Sequence, residues 1–145
     1  MNSIWLLGVV LLIASAAGVW LKTVQGQIKR AKSHQNYADD FSAFGILGQR
    51  ATLIQFSTQF CSTCPGSKKI LNQIASDDLT IGFIEIDAEQ NIELAKKLSI
   101  LSTPTILITD HAGEELARIT GKPSKKVIES YLDSISSSHF EKKIA

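Results

Sequence analysis

The sequence predicts an α/β fold: a mixed sheet flanked by helices and preceded by a transmembrane helix. Three observations carry that expectation. Apolar residues alternate as strand, helix, strand between Thr52 and Ile86, a closely spaced strand pair follows between Thr105 and Thr120, and an uncharged apolar run opens the chain from Ile4 to Leu21. A length of 145 residues suits one ordinary domain plus extras. The 15 Lys and Arg nearly balance 14 Asp and Glu, so the net charge of +1 lacks the basic footprint of a nucleic-acid binder. With 9 Gly, 3 Pro and 44% hydrophobic residues, collagen-like and disordered classes are excluded. Two cysteines are too few for a disulfide-dense secreted scaffold.

The opening run, IWLLGVVLLIASAAGVWL, reaches about 27 Å as a helix, enough to cross a bilayer. Trp5 and Trp20 stand near its two ends, where amphipathic rings favour the membrane–water interface. Ala14-Ser15-Ala16 resembles a small-residue cleavage site, yet no basic residue precedes the run as a signal peptide requires. A buried core helix would show a polar face, and this run has none. Residues 1–21 are therefore expected as the anchor of a single-pass membrane protein. Lys22, Lys29, Arg30 and Lys32 follow it, and basic flanks prefer the cytoplasmic side; a large domain can cross regardless, so the extracytoplasmic face stays open.

Residues 22–49 read as a stalk, polar and without sustained periodicity to about Asp40, with Phe41 to Leu47 apolar enough to pack as a short helix or irregular strand. The domain proper is expected over 50–135. Thr52 to Phe56 and Ile81 to Ile86 are strands around a helix over Ser67 to Ala75, whose inner face is Ile70, Leu71 and Ile74; such a βαβ unit makes the two strands parallel. Asp87 can cap a helix from Gln90 to Leu98 with Ile92, Leu94, Ala95 and Leu98 inward. Thr105 to Thr109 and Leu116 to Thr120 form an antiparallel hairpin about a turn at 110–113. Ser124 caps a last helix with Val127, Ile128, Tyr131, Leu132 and Ile135 at helical spacing, and 136–145 is a flexible tail.

Cys61-Ser62-Thr63-Cys64 falls where the first strand gives way to the first helix, at the carboxyl edge of the parallel pair, a usual place for an α/β active site. Unpaired N–H groups and the macrodipole at a helix N-terminus stabilise a thiolate. Cys61 then attacks a disulfide, and Cys64, one turn on and more shielded, resolves the mixed disulfide; in reverse the steps oxidise a dithiol. The alternatives are a structural pair or half of a zinc site. Zinc needs four ligands, and His34, His111 and His139 are scattered, so no metal or cofactor is expected. Lys68 and Lys69 can raise the potential near Cys61 or simply solvate a helix face.

On these residues the sequence resembles thioredoxin, and more closely the membrane-tethered thioredoxin-like proteins of bacteria. The resemblance spans about Arg50 to Ile135 and rests on TLIQFSTQFCSTC, on Thr103-Pro104-Thr105 before the third strand, and on Gly121 after the hairpin. It implies a thioredoxin-like fold and thiol–disulfide oxidoreductase activity on protein disulfides or dithiols, a part in cell redox homeostasis, and an upstream redox partner. It implies that Pro104 is cis and lies against the cysteines, that the backbone of Thr103 pairs with an extended client segment, and that Phe60 stands where the family's client-facing Trp usually does.

The sequence also departs from the family. Gln55 replaces a buried Asp that moves the resolving thiol's proton, and an amide cannot titrate. Phe83 replaces a common Lys, and Ser62-Thr63 replaces Gly-Pro. If Cys61 caps the helix, Pro65 falls near the fourth helical position, so the first turn is distorted or the regular helix starts at Pro65. Family potentials span about −270 to −120 mV, roughly 7 kcal/mol, so reduction and oxidation both stay open. The alternative function is a non-catalytic binding or redox-sensing module at the membrane, since a fold does not establish an activity.

Overall fold

The computed structural model describes residues 2–24, 26–31 and 36–144, with side chains over 5–20, 26–31 and 36–136. The first element is the helix α1 (Asn2–Val24). Among the described residues no helix is long and apolar enough to cross a membrane. The helix expected over 1–21 is present; its span of a membrane is not shown. Its apolar side chains are exposed, Leu12 at 72% among them.

A five-stranded sheet follows, built from β1 (Ile28–Arg30), β2 (Ala51–Ser57), β3 (Ile81–Asp87), β4 (Thr105–Asp110) and β5 (Glu115–Thr120) in the order β1-β5-β4-β2-β3. β2 and β3 are parallel, with Gln55 opposite Glu85, as the strand-helix-strand pattern requires. The β4–β5 hairpin is antiparallel, and β4 also runs antiparallel to β2, which makes the sheet mixed. The helices are α2 (Ala38–Ser42), α3 (Cys64–Asp77), α4 (Ile92–Lys97) and α5 (Lys125–Ile144).

Strand parity sorts the core into two layers. Ala51, Leu53, Ile106, Ile108, Ala117 and Ile119 face Leu71 and Ile74 of α3 and Ile128 and Leu132 of α5. Ile54, Phe56, Ile84, Ile86 and Leu107 face Tyr37, Phe41 and Leu98 on the other side. Gln55 shares the parity of Leu53, so it points toward α3.

Three expectations change. The 22–49 segment, expected as a stalk, contributes to the fold: Ile28, Lys29 and Arg30 pair with β5 and Tyr37 is a core residue, while Phe41, expected to pack, does so from the short helix α2. Three residues of strand are too short to show a period, and ladder partners supplied by β5 decide the conformation instead. Further along, Gly48 and Gly82 meet so closely that a Cβ on Gly48 would stand 2.3 Å from the Gly82 nitrogen. Chain between α2 and β2 thereby covers the β3 edge, which would otherwise offer an open ladder. The second change concerns Asp87, which caps not a helix but the turn before one: its carboxylate accepts from the N–H groups of Glu89 and Gln90 at 2.8 and 3.2 Å, and Asn91 is the N-cap of α4. Lastly, α5 continues to Ile144, through the residues expected as a flexible tail.

Candidate redox site

The end of β2 delivers the chain to the cysteines in two tight steps. The Cys61 N–H bonds to the Thr58 carbonyl at 3.2 Å, and the Cys64 N–H to the Cys61 carbonyl at 3.3 Å. Helix α3 then begins at Cys64 with Thr63 as N-cap, so Cys61 precedes the cap instead of forming it. Pro65 falls at the second helical position, where an N–H has no intrahelical partner to lose. The helix therefore runs regularly from Cys64.

Cys61 and Cys64 are joined in a disulfide with their Cα atoms 5.4 Å apart. Their environments differ. Cys64 is 3% exposed beneath the first turn, whereas Cys61 is partly open and Ser62 and Thr63 are exposed. Cys61 is thus the more accessible sulfur of the bonded pair. The Thr63 hydroxyl lies 3.9 Å from Cys61 Sγ and can donate to a thiolate formed there.

The loop before β4 completes the site. Thr103–Pro104 is a cis peptide, Pro104 is buried and Thr103 half-buried. The Thr58 and Thr103 hydroxyls lie 3.2 Å apart, which ties the loop to the strand end that leads to the cysteines. On its other side the Pro104 carbonyl accepts the Gly121 N–H at 2.8 Å. Gly121 has φ +89°, a conformation a side chain would strain, so its place after β5 is set by backbone geometry.

An open groove of about 450 Å³ starts at Thr58 and Thr103 and continues between Ala88, Ile92, Ile100 and Leu101. Leu101 is 94% exposed and Phe60, directly before Cys61, is 90% exposed. Phe60 beside Cys61 and Leu101 along the groove thus stand in water, a costly arrangement unless a partner covers them.

Beneath the cysteines lies a polar cluster that sequence reasoning reached at Gln55 and, for its charge alone, at Lys68. The buried Gln55 side chain donates from Nε2 to the Cys64 carbonyl at 3.3 Å and to Glu85 Oε1 at 3.4 Å. Glu85 also accepts from the Ser57 hydroxyl at 3.1 Å and from the Lys68 ammonium at 2.5 Å. No spacing links Glu85 to Lys68; the signal available was strand parity, which puts Gln55 and Glu85 of paired strands on the face that α3 covers. Phe83 packs against the core on that face, so the position where the family often has Lys is apolar.

Among the described residues no group of three or more His, Cys, Asp or Glu is placed to hold a metal. His111 is exposed in the β4–β5 turn. His34 lies outside the described residues, as does the side chain of His139.

The model of the family described as Thioredoxin matches residues 30–134. Among curated proteins, the chain is 27% identical over 93 residues to a thioredoxin of Mycolicibacterium smegmatis, covering 62% of this chain and 82% of that one. It is 26% identical over 80 residues to mitochondrial thioredoxin-2 of Schizosaccharomyces pombe, covering 55% and 59%. It is also 28% identical over 85 residues to NADPH-dependent thioredoxin reductase 3 of Arabidopsis thaliana, covering 58% of this chain and 16% of that one. Among solved structures, a mutant thioredoxin from Halobacterium salinarum superposes with a TM-score of 0.54 at 18% identity, over 61% of this chain and 86% of that one. Fasciola hepatica thioredoxin gives 0.51 at 26% identity, over 57% and 79%.

Proposed function

The chain belongs to the thioredoxin family, and from that premise we propose that it is a membrane-anchored thiol–disulfide oxidoreductase exchanging its Cys61–Cys64 disulfide with protein disulfides or dithiols. One observation carries the reading: an openly placed Cys61 and a shielded Cys64 are bonded beside a cis Thr103–Pro104 loop. In the reducing direction the Cys61 thiolate attacks a client disulfide and releases one client thiolate. Cys64 then attacks Cys61 Sγ, the second client thiolate leaves, and the Cys61–Cys64 bond closes. Two electrons pass to the client, and an upstream dithiol returns them. The similarity to a protein named as a thioredoxin reductase supports such an upstream partner.

Substrate contact is assigned to Phe60, Thr103 and Pro104. Thr103 offers backbone groups to an extended client segment by strand addition, and Phe60 offers apolar surface. Ser62 and Thr63 shape the loop between the cysteines. The anchor is assigned to α1: its sequence run reaches about 27 Å, and its exposed apolar side chains suit a lipid surrounding. The basic residues after it favour a cytoplasmic domain.

Cys61→Ser should abolish reduction of a protein disulfide such as that of insulin, whereas Cys64→Ser should hold clients as mixed disulfides on Cys61. Full exchange activity in Cys61→Ser would sink the proposal.

A further inference from the structure

We infer that the redox end of the domain faces the bilayer from which the chain emerges, so that its clients are proteins of that same membrane whose cysteines lie near the surface. This deepens the function proposed above and rests on both its membrane anchor and its exchange reaction. Anchoring alone fixes neither which end of the domain faces the lipid nor which disulfides it reaches. The place where the chain joins the sheet fixes both.

Lys22 is the first charged residue after the apolar run, and α1 continues to Val24. From Lys22 to Gly26 the chain then reaches about 10 Å at most, two helical steps followed by two steps of trans peptide. Gly26 is held at the redox end. Its N–H bonds to the Thr120 carbonyl at 2.8 Å, and a Cβ on it would stand 2.6 Å from the Lys122 carbonyl oxygen. It thus meets the residues on either side of Gly121, whose N–H bonds to the Pro104 carbonyl at 2.8 Å. Lys122 in turn sends its side chain to the first turn of α3, where a Cβ on Gly66 would lie 3.7 Å from both Cε and Nζ. The chain therefore enters the sheet beside the proline loop and beside the turn of helix that begins at Cys64.

From there the chain runs away from the redox end. β1 pairs antiparallel with β5, Ile28 opposite Ile119 and Arg30 opposite Ala117. By Tyr37 it has reached the other end of the sheet, where the Tyr37 N–H bonds to the Gly113 carbonyl at 3.0 Å. The 6 residues of β5 put about 20 Å between the two ends. Turning the domain over would carry Gly26 from the near side of the molecule to the far side, and a body of about 100 residues is about 30 Å across. The chain between Lys22 and Gly26 does not reach that far. The exposed apolar side chains agree with this placement. Phe60, 90% exposed, directly precedes Cys61, and Leu101, 94% exposed, lines the groove that starts at Thr58 and Thr103. Both belong to the redox end, and a protein seated in the membrane offers them apolar surface to meet.

Two measurements on the full-length chain in phosphatidylcholine vesicles test this. In a Cys61→Ser, Cys64→Ser chain, a donor dye attached through Ser62→Cys or through Ala112→Cys reports energy transfer to an acceptor on the lipid headgroups. Transfer from 62 should exceed transfer from 112. In the chain with both cysteines, about 20 Gly and Ser residues inserted between Val24 and Gln25 reach about 25 Å and should slow reduction of a dye-bearing peptide disulfide tied closely to headgroups about fivefold, by diluting the site near the surface. Reduction of the same peptide free in solution should stay within about twofold, since no tether sets its local concentration. Equal transfer from the two dyes, or more from 112, overturns the inference and leaves the exchange reaction standing, as does a spacer without effect on the tethered peptide. A dye at 62 close to the headgroups, with the tethered peptide reduced no faster than the free one, means that this end rests on lipid and overturns the client class. Failure of the chain to enter vesicles removes the anchor, and failure of the original chain to reduce insulin removes the exchange reaction; either takes the inference with it.

Discussion

Thr58 and Thr103 face each other with their hydroxyl oxygens 3.2 Å apart, across the gap between the end of β2 and the loop that carries Pro104. They are 45 residues apart in sequence, and this contact sets the loop against the turn that presents Cys61. Thr58→Val keeps the shape and removes the bond. It should cost about 1 kcal/mol in urea unfolding. It should also raise KM for a peptide disulfide more than it lowers kcat, because client pairing with Thr103 depends on where the loop stands.

Closing a ring between Cys61 and Cys64 restricts the unfolded chain, and for so short a loop the chain-entropy estimate is about 2 kcal/mol. Reduction should lower the unfolding free energy by about that amount. Urea titration of the oxidised and reduced forms, and of a Cys61→Ser, Cys64→Ser double variant insensitive to reductant, checks this.

Glu115 is nearly buried, and Arg118 meets both its carboxylate oxygens at 2.9 Å while also donating to the Leu98 carbonyl at 2.8 Å. Arg118→Met strands that carboxylate, and breaking a buried pair from one side costs about 3 kcal/mol. A Glu115→Gln, Arg118→Met double variant should recover part of the loss. Chemical denaturation of the two variants measures both.

Phe41, at the start of the apolar stretch 41–47, is fully buried. If residues 36–44 are structural, Phe41→Ala should cost about 3 kcal/mol; a mere tether would lose nothing measurable. Thermal unfolding of the variant decides between them.

Thr80 donates to the Asp78 carboxylate from its N–H at 2.9 Å and its hydroxyl at 2.6 Å. These bonds, with a smaller contribution from Arg50, hold the Asp78 pKa below its usual 3.8 against the opposing effect of burial. A depressed carboxylate pKa adds stability above the unfolded value, and that stability is lost as pH falls through the folded value. Thr80→Val should therefore lower stability by about 1 kcal/mol at neutral pH. It should flatten the acid limb of the stability profile, and urea midpoints measured from neutral pH down to about 3 would show whether it does.

Much of the domain was legible in sequence because short-range periodicity expresses it. Leu53, Ile84 and Ile108 belong to apolar runs that only a strand explains, Leu71 and Ile74 recur at helical spacing, and two cysteines flank Ser62-Thr63 after a strand. The edge strand at 28–30 has no such signature, since its conformation comes from ladder bonds to Ile119, Arg118 and Ala117. Thr63 displaced Cys61 as helix cap for a similar reason: two turn bonds from Thr58 and Cys61 carry the chain past Cys61 before the helix starts.

The sequence by itself determined the order of strands and helices from β2 onward and the pair of sulfurs at the carboxyl end of β2, because each depends on neighbours within a few residues; a proline set against the sulfurs was implied only by the family resemblance. Only the tertiary structure decided what anchors the proline loop and that Glu85 and Lys68 meet under Gln55. Those relations join β2, β3, α3 and the loop before β4. They arise when strand register and helix packing bring distant residues within hydrogen-bond reach, and that distance is written in no local pattern.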